Sequence, residues 1–370
     1  MRNLIELALV GLIAVGIASA CRPIQTPTSP PIPQDVISSI DGYLGNLTKQ
    51  GAFSGSVLIG QGGRVLLSTG YGMADVENGV PNTPQTRFHI GSVTKQFTAM
   101  AVLILQAQGR LDPEEQVCIH LPSCPLHWRE ITIHQLLTHT SALPDSWEFY
   151  AEKNVPDVLY EPAEIISWFE DAPLDFEPGT RFSYSNTGYL LLGYLIEEVS
   201  AQPYEVFLAE HIFEPLEMTS TSYCLDGSGL AVGYSHNGLE AAFINPSLAY
   251  SAGELCSTVE DMQRWDQSFY TEELLPGEML EAVFTPLVSI PSLSFAPPYE
   301  ETSYGYGWFV GEHLGHRVAG HGGTYSGFRA LIERYPDDEI SIIILSNLET
   351  SDITATTFPA EAIFGGQRVN

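Results

Sequence analysis

Residues 92–108 read SVTKQFTAMAVLILQAQ. Between Phe97 and Leu105 this segment is apolar on nearly every side, so it predicts a helix buried all round rather than an amphipathic surface helix. Its first turn holds Ser92 and Lys95, which are three apart and therefore share one face. A serine hydroxyl becomes a nucleophile when a base takes its proton, and burial can lower the pKa of a lysine enough to make it that base. The alternative is an N-cap serine followed by a surface lysine.

Strand patterns lie on both sides of this helix. Two of them, at 56–59 and 64–67, read as a hairpin that follows a helix starting at Gln34. Four more occur after residue 300, and they cover 304–310, 317–320, 328–335 and 340–345. Strands at both ends of a chain, with helices between them, place the termini in one sheet.

The predicted fold class is therefore α/β (α+β), an antiparallel sheet flanked by helices with an inserted helical lobe. The sheet is expected from about 52–70 and 304–346, and the lobe from about 110–300. A cleft between lobe and sheet is a common place for a ligand.

Helix starts are visible inside the predicted lobe. Thr132 with Gln135, and Ser257 with Glu260, fit the capping box, in which two side chains satisfy the first free backbone N–H groups. Residues 189–199 carry a strong apolar face at helical spacing. These signals favour helices over strands in this part of the chain.

Two further polar motifs suit a Ser–Lys pair. Tyr184 and Asn186 are two apart; a tyrosine beside a lysine can relay a proton, and an asparagine can hold the lysine and a substrate carbonyl. In His321-Gly322-Gly323, two glycines allow close backbone approach, and the next N–H can donate to a developing oxyanion. Taken singly, the first motif also fits a packed aromatic with a turn asparagine, and the second a β-turn with a strand-end histidine.

In this order and spacing the three motifs resemble those of the class C β-lactamases and D-Ala-D-Ala carboxypeptidases, a group of serine hydrolases with esterase relatives. The S-x-x-K motif is itself a signature of penicillin-binding proteins. Other matching stretches are FHIGSVTKQFTA at 88–99, ITIHQLLTHTSAL at 131–143, FSYSNTGYLLLG at 182–193, SAGELCSTVEDMQRW at 251–265 and GHGGTYSGFRA at 320–330. The resemblance spans about 35–365 and implies one β-lactamase-like serine hydrolase domain at 34–365.

By position, the resemblance assigns the catalytic roles. Ser92 is implied to be the acylated nucleophile, Lys95 the group that activates it, and Tyr184 the proton carrier to the leaving group. The backbone N–H groups of Ser92 and Thr324 are implied to form the oxyanion hole.

The resemblance also assigns substrate binding, to Asn186, His321, Gly322 and Gly323. His321 stands where the β-lactamases have Lys, and Gly322 stands where they have Thr. Two groups that grip a substrate carboxylate are thus replaced, in a chain with only three lysines. Strong carboxylate recognition is therefore not expected.

These features predict a serine hydrolase that acts through an acyl-enzyme on an ester or amide carbonyl. A D-amino-acid peptidase, similar to a D-Ala-D-Ala carboxypeptidase, or an esterase ranks above a β-lactamase because of the replaced groups. A catalytically silent peptidoglycan- or peptide-binding protein on the same fold is the non-enzyme alternative. A small-molecule or peptide substrate is expected, no cofactor is implied, and the oligomeric state is left open.

Other hydrolase classes fit less well. The chain has no G-x-S-x-G pentapeptide, which presents the serine of an α/β-hydrolase. It also has no H-E-x-x-H motif, and His134 and His139, five apart, would point away from each other on a helix. No metal site is therefore predicted.

The charge balance excludes one class of partner. The chain has 15 Lys and Arg against 45 Asp and Glu, a net charge of −30. Such a polyanion repels phosphate backbones and anionic lipid surfaces, so nucleic-acid binding is not expected.

The N-terminus predicts export from a bacterial cell. Residues 1–20 combine a basic start, an apolar run and small residues, as a signal peptide does, and the run is too short for a membrane span. Cys21 follows Ile-Ala-Ser-Ala in a pattern that resembles a lipobox, so we expect lipid attachment there; ordinary cleavage after A-x-A is the alternative. Residues 21–33 form a Pro-rich tether. A membrane-anchored lipoprotein is favoured over a periplasmic or secreted protein.

The cysteine count fits that interpretation. If Cys21 carries lipid, four cysteines remain, an even number suited to an oxidising compartment. Cys118 and Cys124 would close a small loop, and by elimination Cys224 would pair with Cys256. Four free buried thiols are the alternative.

Overall fold

The computed structural model describes residues 30–153, 155, 158–224, 229–236, 238–290, 298–351 and 354–365. The predicted signal peptide, Cys21 and all but the last few residues of the Pro-rich tether lie outside the described residues.

Thirteen strands are present in the described part of the chain. They are β1 Gly55–Gln61, β2 Arg64–Tyr71, β3 Met73–Asp75, β4 Val80–Pro81, β5 Phe88–His89, β6 Ser222–Tyr223, β7 Leu255–Ser257, β8 Val288–Ser289, β9 Glu300–Tyr304, β10 Phe309–His313, β11 His316–Tyr325, β12 Phe328–Tyr335 and β13 Ile340–Ser346. Eight of them form one antiparallel sheet in the order β2-β1-β13-β12-β11-β10-β9-β8. The prediction that both ends of the chain share one antiparallel sheet is confirmed.

The helices lie before, between and after these strands. They are α1 Gln34–Lys49, α2 Thr94–Ala107, α3 Ile133–Leu137, α4 Ser146–Lys153, α5 Pro162–Ser167, α6 Asn186–Ser200, α7 Tyr204–Leu208, α8 Pro246–Gly253, α9 Val259–Ser268, α10 Gly277–Val283 and α11 Thr354–Phe364. Most of them belong to the segment between β5 and β8, which confirms the inserted helical lobe. None of the described helices is long and apolar enough to cross a bilayer.

The central strands are covered on both faces, which explains why they are apolar without interruption. Side chains alternate between the faces of a strand. Val57 and Ile342 accordingly pack with α1 residues in one core, while their neighbours Leu58 and Ile343 pack with the lobe in the other. The sheet therefore separates two hydrophobic cores, and α9 packs against its lobe-side face at β1 and β13.

The buried helix predicted from the opening stretch is confirmed. In α2, every residue from Thr94 to Leu105 is buried, and the helix contacts α6 and α8. Ser92 precedes it on a single 3-10 turn, Gly91–Val93. The nucleophile candidate is thus anchored by a helix that is buried over most of its length.

Two strand predictions are wrong. The predicted strand at 304–310 is two strands, β9 and β10, because Gly305 to Trp308 form a tight turn closed by a 2.8 Å backbone hydrogen bond, with Gly307 at φ +80°. The predicted strand at 317–320 continues as β11 to Tyr325. Glycine has low strand propensity, so the pattern ended early and His321 was placed at a strand end or β-turn instead of inside a strand.

One helix start is displaced and another is confirmed. Thr132 and Gln135 form the predicted capping box. At the second site, however, the cap is Thr258, whose hydroxyl accepts from the Asp261 N–H, and not Ser257. Ser257 instead lies in β7 and pairs with β5. The helix therefore begins one residue later, and the adjacent Thr258 becomes its cap.

Both predicted disulfides are present. Cys118 and Cys124 are bonded with their Cα atoms 5.4 Å apart, and Cys224 and Cys256 with theirs 5.8 Å apart. The second bridge fixes the residue after β6 to the middle of β7, next to the strand that leads into the 3-10 turn at Ser92.

Candidate active site

The Ser92–Lys95 pair is in hydrogen-bonding reach. Lys95 Nζ lies 3.2 Å from Ser92 Oγ, as the spacing of three residues predicts. Gly91 has φ +51°, a conformation that favours glycine and turns the chain so that Ser92 starts the buried helix. The two side chains that the sequence analysis paired are therefore together.

Lys95 is fully buried and held by three acceptors. Besides Ser92 Oγ, its Nζ donates to Asn186 Oδ1 and to the Ala252 carbonyl oxygen, both at 2.8 Å. Burial lowers the pKa of Lys95 to about 7, against the opposing charge of Asp145. A large share of Lys95 is thus a neutral amine near neutral pH, which is the form that can accept a proton.

Tyr184 lies against the same pair. Lys95 Nζ is 4.9 Å from the centre of its ring. Burial raises the pKa of Tyr184 well above its ordinary value, and a side-chain hydrogen bond with Ser92 opposes that shift. Tyr184 therefore keeps its phenol proton at rest and contacts the nucleophile candidate directly.

Asn186 is fixed by an aspartate that the sequence analysis missed. Asn186 opens α6, and its backbone N–H and its Nδ2 both donate to Asp145 Oδ1, at 2.7 and 3.0 Å. This fixes the amide so that Oδ1 faces Lys95. Asp145 directly precedes α4 in a segment without a motif, so no local signal marked it.

The glycines of β11 let this strand approach the 3-10 turn that carries Ser92. A Cβ at Gly323 would lie 1.9 Å from the Ile90 carbonyl oxygen and 3.2 Å from the Ser92 nitrogen. A Cβ at Gly91 would lie 2.7 Å from the Thr324 nitrogen. Only glycine permits this approach, which brings the backbone of Ser92 close to that of Thr324. The arrangement suits the predicted oxyanion hole.

His321 is a neutral group in this site. It is buried; its Nδ1 lies 2.6 Å from the Gly322 carbonyl oxygen, and its Nε2 lies 3.1 Å from Tyr304 Oη. A carbonyl only accepts, so Nδ1 carries the proton and Nε2 accepts from the phenol. Burial, aided by the charge of Lys95, lowers the pKa of His321 to about 3. His321 therefore does not supply the cation that a lysine at its position would supply.

A second buried histidine, His139, supports Tyr184. The two rings stack with centroids 4.2 Å apart, and the Ser185 N–H donates to His139 Nδ1 at 3.1 Å. The sequence analysis placed His139 on a helix with His134, but α3 ends at Leu137 and His139 has φ +57°. In the sequence, His139 stands out only as part of the stretch 131–143. That stretch was quoted because it resembles the β-lactamase group, and no chemical role was assigned to His139.

Arg329 contacts the side chain of Thr324. It lies on β12 directly opposite Thr324 of β11, and its Nη1 donates to Thr324 Oγ1. Its Nε donates to the Glu349 carbonyl oxygen at 3.0 Å. The sequence analysis quoted it inside GHGGTYSGFRA without assigning it a role.

One group of metal-ligand side chains occurs among the described residues, beside the site. Ligand atoms of His89, Cys224 and Cys256 lie within 4.8 Å of one another, but the two cysteines form a disulfide and offer no thiolate. Glu254, whose pKa burial raises to about 9, lies 3.8 Å from His89 and accepts from the Tyr325 hydroxyl at 2.9 Å. Through its bond to Tyr325, the last residue of β11, Glu254 holds the end of this strand in place next to Thr324.

The arrangement unites a hydroxyl, a partly neutral amine, a phenol and two facing backbone segments. A neutral Lys95 can take the proton of Ser92 as the oxygen attacks a carbonyl. Tyr184 lies where it can pass a proton between Lys95 or Ser92 and a departing group. Two backbone N–H groups suit the negative oxygen that the attack creates.

The family model for β-lactamase matches residues 40–363, so the chain belongs to the β-lactamase family. It has the penicillin-binding-protein-like serine hydrolase fold of that family.

Three relatives illustrate the likeness. The chain is 29% identical over 318 residues to PbpX of Bacillus subtilis, which is 83% of this chain and 74% of PbpX. It superposes with TM-score 0.78 at 27% identity on the octameric penicillin-binding protein homologue of Pyrococcus abyssi, covering 90% of this chain and 78% of that one. With a D-stereospecific amidohydrolase from Streptomyces sp., the TM-score is 0.73 at 26% identity, covering 90% and 99%.

Proposed function

We propose that this protein hydrolyses an ester or amide bond through an acyl-enzyme on Ser92. The single observation that carries the proposal is the position of Lys95, whose buried amine has a pKa of about 7 and lies 3.2 Å from Ser92 Oγ. A lysine that served only to stabilise the fold would need neither a lowered pKa nor a serine hydroxyl within hydrogen-bonding distance. Asn186 and Tyr184 complete the environment that such a base requires.

The proposed reaction has two stages. Ser92 Oγ attacks the substrate carbonyl while Lys95 takes its proton, and the oxyanion accepts hydrogen bonds from the Ser92 and Thr324 N–H groups. The bond to the amine or alcohol then breaks, and that group leaves with a proton passed through Tyr184. A water molecule then attacks the serine ester, and one of its protons passes to Ser92 Oγ as the acid is released, which restores the serine hydroxyl.

We propose a D-amino-acid peptidase or an esterase as the specific activity. The likeness to a D-stereospecific amidohydrolase at 26% identity supports D-configured amide substrates. The neutral state of His321 supports ranking penicillin hydrolysis lower, because the cation that a β-lactamase has there is missing. Export and lipid attachment at Cys21 are part of the same proposal, since the four other cysteines form the disulfides that an oxidising compartment favours.

Covalent labelling tests the proposal. A fluorophosphonate probe and a fluorescent penicillin are each incubated with the protein and with Ser92→Ala. We expect labelling by at least one probe, with the label on the peptide that contains Ser92, and loss of labelling in the variant. Turnover of p-nitrophenyl acetate should fall by at least about 10³-fold in Ser92→Ala.

A matched control is Ser326→Ala, a partly buried serine close to Thr324 in sequence that has no assigned role. If neither probe labels the protein and ester turnover equals that of Ser92→Ala, the chain is a silent binding protein and the enzyme proposal is wrong.

A further inference from the structure

We propose that the protein carries a zinc site, next to its candidate active site, that is controlled by oxidation. The proposed ligands are two thiolates, one imidazole and one carboxylate, and they come from Cys224, Cys256, His89 and Glu254. While the two cysteines form their disulfide, their sulfurs do not bind the ion. Zinc therefore binds only to the reduced protein. This inference goes beyond the proposed hydrolase function and does not depend on it.

A small sheet of three strands brings the four groups together. His89 of β5 lies directly opposite Cys256 of β7, and facing residues of neighbouring strands have adjacent side chains. Cys224 follows β6, and its N–H donates to the carbonyl oxygen of Glu254, the residue before β7. The ligands thus come from three separate segments of the chain. This explains why no local motif in the sequence predicted a metal site.

The distances suit a tetrahedral ion. Ligand atoms of His89, Cys224 and Cys256 lie within 4.8 Å of one another. His89 Nδ1 lies 3.4 Å from Cys256 Sγ and 3.8 Å from Glu254 Oε1. Bonds of about 2.3 Å from zinc to sulfur and about 2.0 Å to nitrogen or oxygen place tetrahedral ligand atoms roughly 3.3–3.8 Å apart. Once the bridge is open, small rotations of the two cysteine side chains bring the sulfurs to this spacing.

Glu254 has an oxygen that the rest of the described chain leaves without a partner. The residue is fully buried, and its Oε2 accepts from the Tyr325 hydroxyl at 2.9 Å. Its Oε1 has no hydrogen-bond partner among the described residues and faces His89 Nδ1. A buried carboxylate oxygen normally has a partner, because leaving it without one is costly. A metal ion bound between this oxygen and His89 Nδ1 would supply the missing partner.

A nearby arginine balances the charge of the proposed site. Arg87 Nη2 lies 3.7 Å from Cys224 Sγ, and its guanidinium is held by the Ser220 carbonyl oxygen at 3.0 Å and by Ser222 Oγ at 2.6 Å. Two thiolates and a carboxylate carry three negative charges, which Zn²⁺ and one guanidinium neutralise together. Unbalanced charge is costly in a buried place, so the reduced and deprotonated cluster needs the ion. Thiolate and imidazole ligands also favour zinc over Ca²⁺ and Mg²⁺.

Opening the bridge requires a reductant, and a dithiol that acts by thiol–disulfide exchange is sufficient. Its thiolate attacks one sulfur of the bridge to form a mixed disulfide, and its second thiol then displaces the protein. The bridge gains two electrons and two protons, and the reductant becomes a disulfide. Zinc then replaces both thiol protons and the proton of the Glu254 carboxyl, and these protons pass to solvent.

Cobalt binding tests the site, because Co²⁺ takes the place of zinc and gives a charge-transfer absorption band with thiolate ligands. The full chain is reduced with a phosphine in urea, freed of the reductant and refolded under nitrogen with Co²⁺ alone. Two matched variants are compared: Cys118→Ser/Cys124→Ser keeps the proposed ligands, and Cys224→Ser/Cys256→Ser removes two of them. Both variants retain Cys21, so this cysteine does not contribute to the difference between them.

We expect the reduced Cys118→Ser/Cys124→Ser protein to bind one Co²⁺ per chain with a thiolate band, and Zn²⁺ to abolish the band by displacing Co²⁺. The Cys224→Ser/Cys256→Ser protein and the oxidised protein should show no band. His89→Gln leaves the bridge intact for folding, and after reduction its affinity for Co²⁺ should be at least about 10-fold lower. Ser92→Ala should bind Co²⁺ as the parent protein does.

Three results would overturn the inference. These are the absence of a thiolate band in the reduced Cys118→Ser/Cys124→Ser protein, an equal band in Cys224→Ser/Cys256→Ser, and an unchanged affinity in His89→Gln. Urea unfolding covers the case in which the reduced chain folds poorly, since a bound ion stabilises the folded state. Zn²⁺ should raise the urea midpoint of the reduced protein and not that of the oxidised protein. A reduced chain that Zn²⁺ does not stabilise also shows that the inference is wrong.

Discussion

A buried lysine beside a serine makes the activity of this protein dependent on pH. Lys95 must be neutral to take the proton of Ser92, so kcat/KM for an uncharged ester should rise with pH through about 7, where Lys95 loses its proton. The charge of Asp145 raises the pKa of Lys95 and burial lowers it. The acid limb of the profile therefore reports the balance between these two effects.

Asp145→Asn should move that limb. The variant keeps an oxygen for the two Asn186 hydrogen bonds but removes the charge, so the pKa of Lys95 should fall further and the acid limb should shift down by roughly half to one pH unit. The exposed Glu148 lies three residues away, and Glu148→Gln provides the matched control. An acid limb that stays in place or moves up in Asp145→Asn would contradict the assignment of Lys95 as the base.

At the scale of elements, a buried ion pair joins the lobe to the sheet. Arg334 Nε of β12 donates to Asp266 Oδ1 of α9 at 3.0 Å, and both side chains are almost fully buried. The guanidinium also lies over the rings of Phe269, Tyr270 and Phe284, between 4.6 and 4.8 Å from their centres. Burial raises the pKa of Asp266 and Arg334 opposes the shift, so the pair depends on both partners.

Removing one partner should destabilise the fold. Asp266→Ala leaves a buried guanidinium without its carboxylate, and we expect the free energy of unfolding to fall by about 3–5 kcal/mol. The exposed pair of Arg317 and Asp337 is the control, and Asp337→Ala should cost less than about 1 kcal/mol. Urea unfolding of both variants measures this, and equal losses would show that the buried pair stabilises the fold no more than the exposed pair does.

Most helices and strands were predictable from the sequence, and the errors in the strand boundaries have a common cause. The short apolar run of β1 and the longer one of α2 are local patterns, so these elements were predicted within a few residues. The boundaries failed at 304–310 and at His321, where glycines allow a turn in one case and a continued strand in the other. A glycine itself does not show which occurs, since the outcome depends on what packs against it.

For the whole molecule, export and the disulfides are linked. A 32-residue separation between Cys224 and Cys256 corresponds to about 4 kcal/mol of loop entropy, and a separation of six between Cys118 and Cys124 to about 2 kcal/mol. Oxidation outside the cytosol should therefore contribute to stability, mainly through the longer loop.

Expression of the full chain in an exporting bacterium tests this link. We expect no free thiol among the four cysteines, membrane retention that is lost in Cys21→Ala, and a lower urea midpoint in Cys224→Ala/Cys256→Ala than in Cys118→Ala/Cys124→Ala. Thiol titration, cell fractionation and urea unfolding measure these outcomes. Four titratable thiols would contradict the export proposal, and a soluble full chain would contradict lipid attachment at Cys21.

The sequence by itself determined the pairing of Ser92 with Lys95, the strand-rich ends, the buried helix and the family resemblance. Helix and strand geometry relate near neighbours in the chain, so spacing is sufficient for these features. Only the tertiary structure decided that Lys95 has a pKa of about 7, that His321 is neutral, and that Asp145 belongs to the site. Burial and charge come from segments far apart, as in the bond from Lys95 to Ala252 across 157 positions, and no local pattern encodes them.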